Sequence, residues 1–282
     1  MPASEDLKAL VDRMPAPARN GTYADLDDEK IQRAEQVVAE LRKGGRATVL
    51  GLIDMLLAPG EGDDVKAHFA LHLLAVRLTA RGGGAARRAF ALAVASRLAG
   101  DRPKAVKKYL IEQLQVAGGR EVVAALGEAL LDPELCDTAA RALAAIRDGA
   151  AEQLLAALPK VKGPSRLSVI KKLAVLRAER AAEAFRKALN DGDSDVRIAA
   201  AWGIARIGDG SAAKALLKTA AAHDGWERIN QIDACMALAD KLAAAGKKSA
   251  AAAIYTRLQR MCGDASERHV REAAERGLAA AK

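Results

Sequence analysis

The sequence predicts an all-α chain of stacked helix pairs, on three grounds. Apolar residues make up 51% of the chain but aromatics only 3%. Alanine and leucine must therefore build the core, which favours closely packed helices. No run of eight residues alternates apolar and polar, and the Val/Ile/Thr-rich runs bounded by turns that mark a sheet are missing. Finally, one pattern recurs. Ile111 and Leu114 precede a glycine turn and Val122. Leu143 and Ile146 precede Asp148–Gly149 and Leu154. Leu173 and Leu176 precede a turn and Phe185. Ile204 and Ile207 precede Asp209–Gly210 and Leu216. Equivalent positions lie 32, 30 and 31 residues apart. A period near 31 with two helices per unit indicates an α-solenoid, because a single pair cannot bury its apolar face alone.

Taken in order, residues 1–26 read as a loose lead-in. They hold a short helix over 4–13, then a linker or strap with Pro15, Pro17, Asn20 and Gly21. The repeat domain spans 27–282. Asp27 or Asp28 caps a helix through Lys43, with Ile31, Ala34, Val37, Val38 and Leu41 at helical spacing. Gly44–Gly45 ends it. A second helix over 46–57 places Val49, Leu50, Ile53, Leu56 and Leu57 on one side, and Pro59–Gly62 closes the pair. Pairs continue at 64–80 and 85–98 around Gly82–Gly84, then at 102–117 and 120–131 around Gly118–Gly119. Pro103, Pro133 and Pro164 mark helix starts, where a missing N–H costs nothing. Asp101 and Asp132 stand where a cap would meet orphan N–H groups.

The best-formed copy is Asp193–Asp209. It continues as VRIAAAWGIARIGDGSAAKALL over 196–217, with Val196, Arg197, Ala199–Ala201, Ile204 and Ile207–Asp209. Near the end, HVREAAERGLAAA places Val270, Arg271, Ala273, Ala274, Gly277 and Leu278 in the same order. The 133–158 copy keeps Ala139, Ala140, Leu143, Ile146 and Asp148–Gly149 without the Val-Arg pair. These stretches resemble the HEAT-like repeat, in the short form associated with phycobilisome lyases. The resemblance is strongest over 132–223, extends to 266–281, and is only topological before residue 118. It implies an α-α superhelix, an armadillo-like HEAT solenoid of about seven helix pairs. It implies no specific activity, since such repeats serve many unrelated binding roles. Residues 226–261 depart from the pattern and are similar to a tetratricopeptide-type hairpin, a variant unit inside the array. The final helix, 266–280, caps the array or leaves a face for another chain.

Charge is uneven. Residues 1–64 hold 8 Lys/Arg against 13 Asp/Glu, whereas 65–120 hold 11 against 2, within a net charge of +8. The basic block allows nucleic-acid binding as an alternative function. Cys136, Cys235 and Cys262 are too widely spaced for a metal knuckle, and their odd number fits free thiols in a reducing compartment. His68 and His72 share a helix face but lack a following Glu and a clear third ligand, so no metal is expected. GxSxG, GxxxxGKS/T and GxGxxG are all missing. No catalytic residue and no cofactor are expected. The opening residues show no secretory signal and no apolar run spans a bilayer, so a cytoplasmic protein is expected.

Two residue sets carry the expectations about interaction. Arg197 and Arg271 hold the repeat's Arg position, flanked by Asp193, Asp195 and Asp209. They read as a ladder of Arg–Asp contacts tying repeat to repeat. Second helices of such pairs line the concave face, and on them lie Arg87, Arg88, Arg120, Arg186, Lys187, Lys214, Lys218, Arg257 and Arg260. Arg186, Lys187, Lys214 and Lys218 are the candidate partner-binding cations, with Trp202 and Trp226 as candidate anchors. The expected function is a noncatalytic protein-interaction scaffold. The alternatives are a nucleic-acid binder and an accessory lyase-like subunit.

Overall fold

A computed structural model describes residues 5–16, 26–80 and 84–281. Among the described residues there are sixteen α-helices and no strand. None of these helices is long and apolar enough to cross a membrane. The chain forms two compact units, Met1–Gln153 and Leu154–Lys282.

The first unit opens with α1 (Glu5–Asp12), α2 (Asp28–Lys43) and α3 (Gly45–Asp54). Asp27 takes an extended backbone and its carboxylate accepts the Lys30 N–H at 2.8 Å, which starts α2 as predicted. Ala34, Val37, Val38 and Leu41 are buried, whereas Ile31 is 43% exposed. Helix α3 ends before the predicted Leu57, because the Leu57 N–H turns to the Asp64 carboxylate at 2.8 Å. Leu52 joins the core instead, and Leu57 stays on the surface. The lead-in is not loose where it is described. Helix α1 packs on α2, α3 and α4 (Val65–Thr79), burying Val11 and Met14. Arg13 pairs with Glu40 at 2.9 Å, and Lys66 holds the Asp12 carbonyl at 2.6 Å. The rest of the predicted strap (residues 17–25) and Gly82–Gly83 of a predicted turn lie outside the described residues.

Helices α5 (Gly84–Ala95), α6 (Lys104–Ala117), α7 (Val123–Ala129), α8 (Cys136–Ile146) and α9 (Ala150–Ala157) follow. Two expected caps are displaced. Pro103, not Asp101, holds the cap position of α6, with no side-chain cap bond. Asp132 accepts the Glu134 N–H at 3.0 Å in a turn that precedes α8. Pro164 does sit in the first turn of its helix.

The second unit contains α10 (Gly163–Val175), α11 (Ala182–Ala188), α12 (Ser194–Ile207), α13 (Ala213–Ala222), α14 (Gly225–Ala244), α15 (Lys248–Met261) and α16 (Arg268–Ala280). From α2 to α15 the elements make seven consecutive pairs. First helices stack on first helices: α4 on α6 and α6 on α8 in one unit, α10 on α12 and α12 on α14 in the other. Most of the repeating positions form the core, whereas Ile146, Leu176 and Ile207 are half-buried. Ile111, Leu143, Leu173 and Ile204 are fully buried, as are Leu154, Phe185 and Leu216.

Two details show what the repeat demands of its backbone. Gly208 ends α12 in the left-handed region at φ +74°, and the Gly208 and Asp209 N–H groups both return to the Ile204 carbonyl. One and two periods earlier the same place is held by Arg177 (φ +53°) and Arg147 (φ +68°). Positive φ crowds a side chain that glycine lacks. Second, glycines receive rings. A Cβ on Gly203 would stand 2.6 Å from the Phe185 ring of the preceding repeat. A Cβ on Gly277 would stand 2.5 Å from the Tyr255 ring.

Replacing Arg147 or Arg177 by glycine is expected to raise stability by about 0.5–1 kcal/mol, read as a higher denaturation midpoint. A lower midpoint in both variants would contradict the strain. Gly203→Ala is expected to cost about 1–3 kcal/mol through overpacking on Phe185. Adding Phe185→Leu should recover part of that loss, and strict additivity of the two changes would show that the ring is not the cause.

Candidate functional site

The second helices α13 and α15 lie side by side and leave a groove of about 690 Å³ between them. Ala213, Leu217 and Ala221 of α13 and Ala250, Ala253 and Ile254 of α15 line it. Small side chains on both helices keep the channel from closing. Lys214 and Lys218, one turn apart on α13, and Arg257 on α15 form its charged rim, and no carboxylate lines it. All three cations are exposed and have no ion pair among the described residues. Lys218 also borders a neighbouring hollow of about 480 Å³ with Asn190, Asp191, Arg197, Thr219 and His223, where Asp191 is bound to Arg166. The volume is that of an ordinary ligand cleft. An apolar floor with a cationic rim is complementary in chemistry to a surface that is apolar at its centre and carries carboxylates at its edges.

The structure separates the predicted partner-binding residues. Lys214 and Lys218 are in the groove. Arg186 is not: it is bound to Asp209 at 2.5 Å and to the Ser211 hydroxyl at 3.2 Å. Lys187 pairs with Glu183 one turn away at 2.7 Å. Trp202 and Trp226 stand on the first helices α12 and α14, around a different hollow. Arg257 was visible in the sequence only as one cation among many. The floor consists of apolar residues at helical spacing, 213–217–221 and 250–253–254, but spacing alone does not say that two such faces meet across a gap.

In the first unit the basic block is largely spent inside the chain. Arg77 binds Glu35 at 2.8 Å, and Arg87 binds Glu121 and the Ala117 carbonyl at 2.8 Å. Arg97 and Arg102 share Asp54, Lys104 meets Asp132, and Arg120 meets Asp148. Lys66 and Lys107 hold the main-chain carbonyls of Asp12 and Gly100. Among the described residues of the block, Arg88 and Lys108 are the unpaired cations.

The stacking ladder exists, with other partners than predicted. Arg166, Arg197 and Arg228 recur 31 residues apart, each near the start of a first helix. Arg166 binds Asp191 at 2.7 Å. Arg197 binds Glu227 through two hydrogen bonds of 2.6 Å and also donates to the Asp191 carbonyl. Arg228 binds Glu267 at 2.7 Å and the carbonyls of Ala220 and Met261. Each arginine thus reaches the residues that open the next first helix, as side chains leaning toward a helix N-terminus do. The flanking aspartates have other tasks. Asp193 caps α12, accepting the Asp195 N–H at 2.8 Å. Asp209 accepts the Ser211 N–H and receives Arg186. Arg271 closes the loop before its own helix, donating to the Cys262 and Asp264 carbonyls. Arg166 and Arg228 were legible from the period but carry no Val before them, which hid the match.

The remaining reactive side chains have structural partners. His68 lies 3.2 Å from Asp64, with its ring against Tyr109, and His72 lies 2.9 Å from the side-chain amide oxygen of Gln113. Cys136, Cys235 and Cys262 are buried, and burial pushes the Cys235 thiol up to about 12.

Residues 151–239 match a family model described as HEAT repeats. That stretch contains the best-formed copy, 193–209, and leaves α1–α8 outside it. No curated protein sequence matches the chain. Among solved structures the chain is similar to an engineered protein at 19% identity, over 98% of this chain and 78% of that one, with a TM-score of 0.45. It is similar to the complex of CpcE and CpcF of phycocyanin lyase from Nostoc sp. PCC7120 at 18% identity, over 82% and 94%, with a TM-score of 0.41. A designed armadillo repeat protein in complex with the peptide (KR)4 is similar at 19% identity, over 98% and 100%, with a TM-score of 0.31.

The Arg197–Glu227 pair makes a pH prediction. Both side chains are largely buried, at 14% and 11% exposure. The hydrogen bonds from Arg197 hold the Glu227 carboxyl below its ordinary value, against the opposing effect of burial. A carboxyl depressed in the folded state stabilises fully above its unfolded value, about 4.3, and that contribution fades as pH falls through the folded value. Glu227→Gln is expected to cost about 1–3 kcal/mol at neutral pH and to flatten the loss of stability from about pH 5 to about pH 3. Denaturation curves at several pH values check this, and an unchanged acid slope would refute it.

Proposed function

We propose that this chain, which carries HEAT repeats over residues 151–239, is a noncatalytic scaffold that holds an acidic, amphipathic segment of a partner protein between α13 and α15. One observation carries the reading. Lys214, Lys218 and Arg257 rim an apolar channel that supplies no counter-charge, while Arg186 and Lys187, also on a second helix, are neutralised within the chain. Three exposed cations repel one another, so a ligand bringing carboxylates to the rim gains at each contact. The apolar floor supplies the desolvation that surface charge alone does not. Two lysines one turn apart favour an extended ligand lying along α13 over a compact one.

The nucleic-acid alternative has less support. A phosphate backbone would have to displace Glu35, Asp54, Glu121 and Asp132 from the cations of the basic block. The lyase-like alternative needs a nucleophile and a pocket, and burial disfavours the thiolate form of Cys235.

A labelled helical peptide with leucines on one face and glutamates along its edges serves as the probe. Lys214→Glu with Lys218→Glu and Arg257→Glu is expected to weaken its binding by about tenfold or more in an anisotropy titration. The far-UV spectrum and melting midpoint should stay as in the parent chain, since none of the three residues holds the fold together. Equal affinity in the parent and the reversed chain would overturn the reading.

A further inference from the structure

The two tryptophans of the chain stand on one surface of the second unit, on the first helices α12 and α14. Trp226 is 72% exposed and Trp202 39%. With Val175 and Ile198 they line a hollow of about 640 Å³. Arg206 stacks 4.5 Å from the Trp202 ring and donates to the Ala174 carbonyl at 3.0 Å, which fixes the indole in its presented position. Indoles held out in water around an apolar hollow mark a contact surface.

The charges around this hollow are ordered. Lys171, Trp202 and Asp233 occupy one repeat position, 31 residues apart. Since α10, α12 and α14 stack in sequence, these residues form a row: cation, indole, carboxylate. Lys172 reinforces the positive end, and Asp195 adds a carboxylate to the rim. None of the four charged residues has an ion pair among the described residues.

Such a row is complementary to itself. Turned by a two-fold axis through the indole, its positive end meets the negative end of an identical row, twice, with tryptophan against tryptophan at the centre. A single-signed surface would repel its copy, whereas this one attracts it. We propose that a second copy of the chain docks here, as a two-fold dimer in which Lys171 and Lys172 face Asp233 of the other copy. This surface is separate from the α13–α15 groove and does not rest on the function proposed for that groove.

Sedimentation of the full chain over a concentration series tests it. The expected result is a monomer–dimer equilibrium, accompanied by a blue shift of tryptophan emission, which reports on this surface alone because no other tryptophan exists. Lys171→Glu with Lys172→Glu, and separately Asp195→Lys with Asp233→Lys, should each weaken association by about tenfold or more. Mixing the two variants should restore a dimer, since each positive end then meets a negative one. That recovery cannot come from two misfolded chains. A parent chain that stays monomeric throughout, or variants that fail to recover on mixing, overturns the proposal. The Lys214, Lys218 and Arg257 reversal should leave the dimer intact, which keeps the two readings distinguishable.

Discussion

No helix pair of this chain can cover its own apolar face, and each depends on the next pair to do so. The constraint is sharper here than in a protein with a bulky core, because aromatics are 3% of the residues and alanine fills much of the interface. Alanine surfaces approach closely but are nearly featureless, so their contacts set distance and leave register weakly fixed. Register comes from directional features set into these contacts. The arginine row of 166, 197 and 228 binds carboxylates at the start of the following first helix. The rings of Phe185 and Tyr255 fit into Gly203 and Gly277. A slip of one residue would lose both.

That division of labour explains the charge distribution. A net charge of +8 suggests a basic surface, yet the cations near turns and helix starts are consumed by the scaffold. Other cations form no ion pair among the described residues, and two groups of them border hollows. Lys214, Lys218 and Arg257 surround apolar residues, and Lys171 and Lys172 end a polar row. Counting charge along the chain makes the 65–120 block look freer than it is, because a count does not register which cations already face carboxylates on neighbouring helices.

The sequence was legible wherever the information is local. Hydrophobic spacing placed the core at Ile111, Leu143, Leu173 and Ile204, and the cap at Asp27 is visible three residues before the N–H it accepts. It failed where a partner lies a repeat away. Arg197 has three aspartates nearby in sequence, and its observed partner is Glu227, thirty residues on. Arg186 looked like a free groove cation until Asp209 was seen to hold it. Helix α1 looked loose because Val11 and Met14 are too few to reveal a docked face by spacing. The two tryptophans were legible as candidate anchors, and both are exposed, but the row they belong to needed the stacking of α10, α12 and α14 to be known.

The irregular segment after Trp226 follows the same logic. Helix α14 starts one period after α12 and is 20 residues long against 14, so its start keeps register and the added length falls at its far end. The start cannot move, because three successive residues there have three different tasks. Trp226 faces out, Glu227 returns to Arg197, and Arg228 reaches Glu267. At about 100° per residue a helix sends neighbours in different directions, so one turn serves all three. The added length has its own contact. Lys241 lies against Gly208 and Leu242 against Gly210, so the extension covers the glycine turn that ends the best-formed repeat. The turn admits it because glycine leaves room there. The groove with Lys214, Lys218 and Arg257 opens at this junction, where a regular repeat meets a lengthened one. Departure from the repeat and the candidate binding surface therefore coincide in one place, and the ladder at the start of α14 is what permits the departure without loss of stacking.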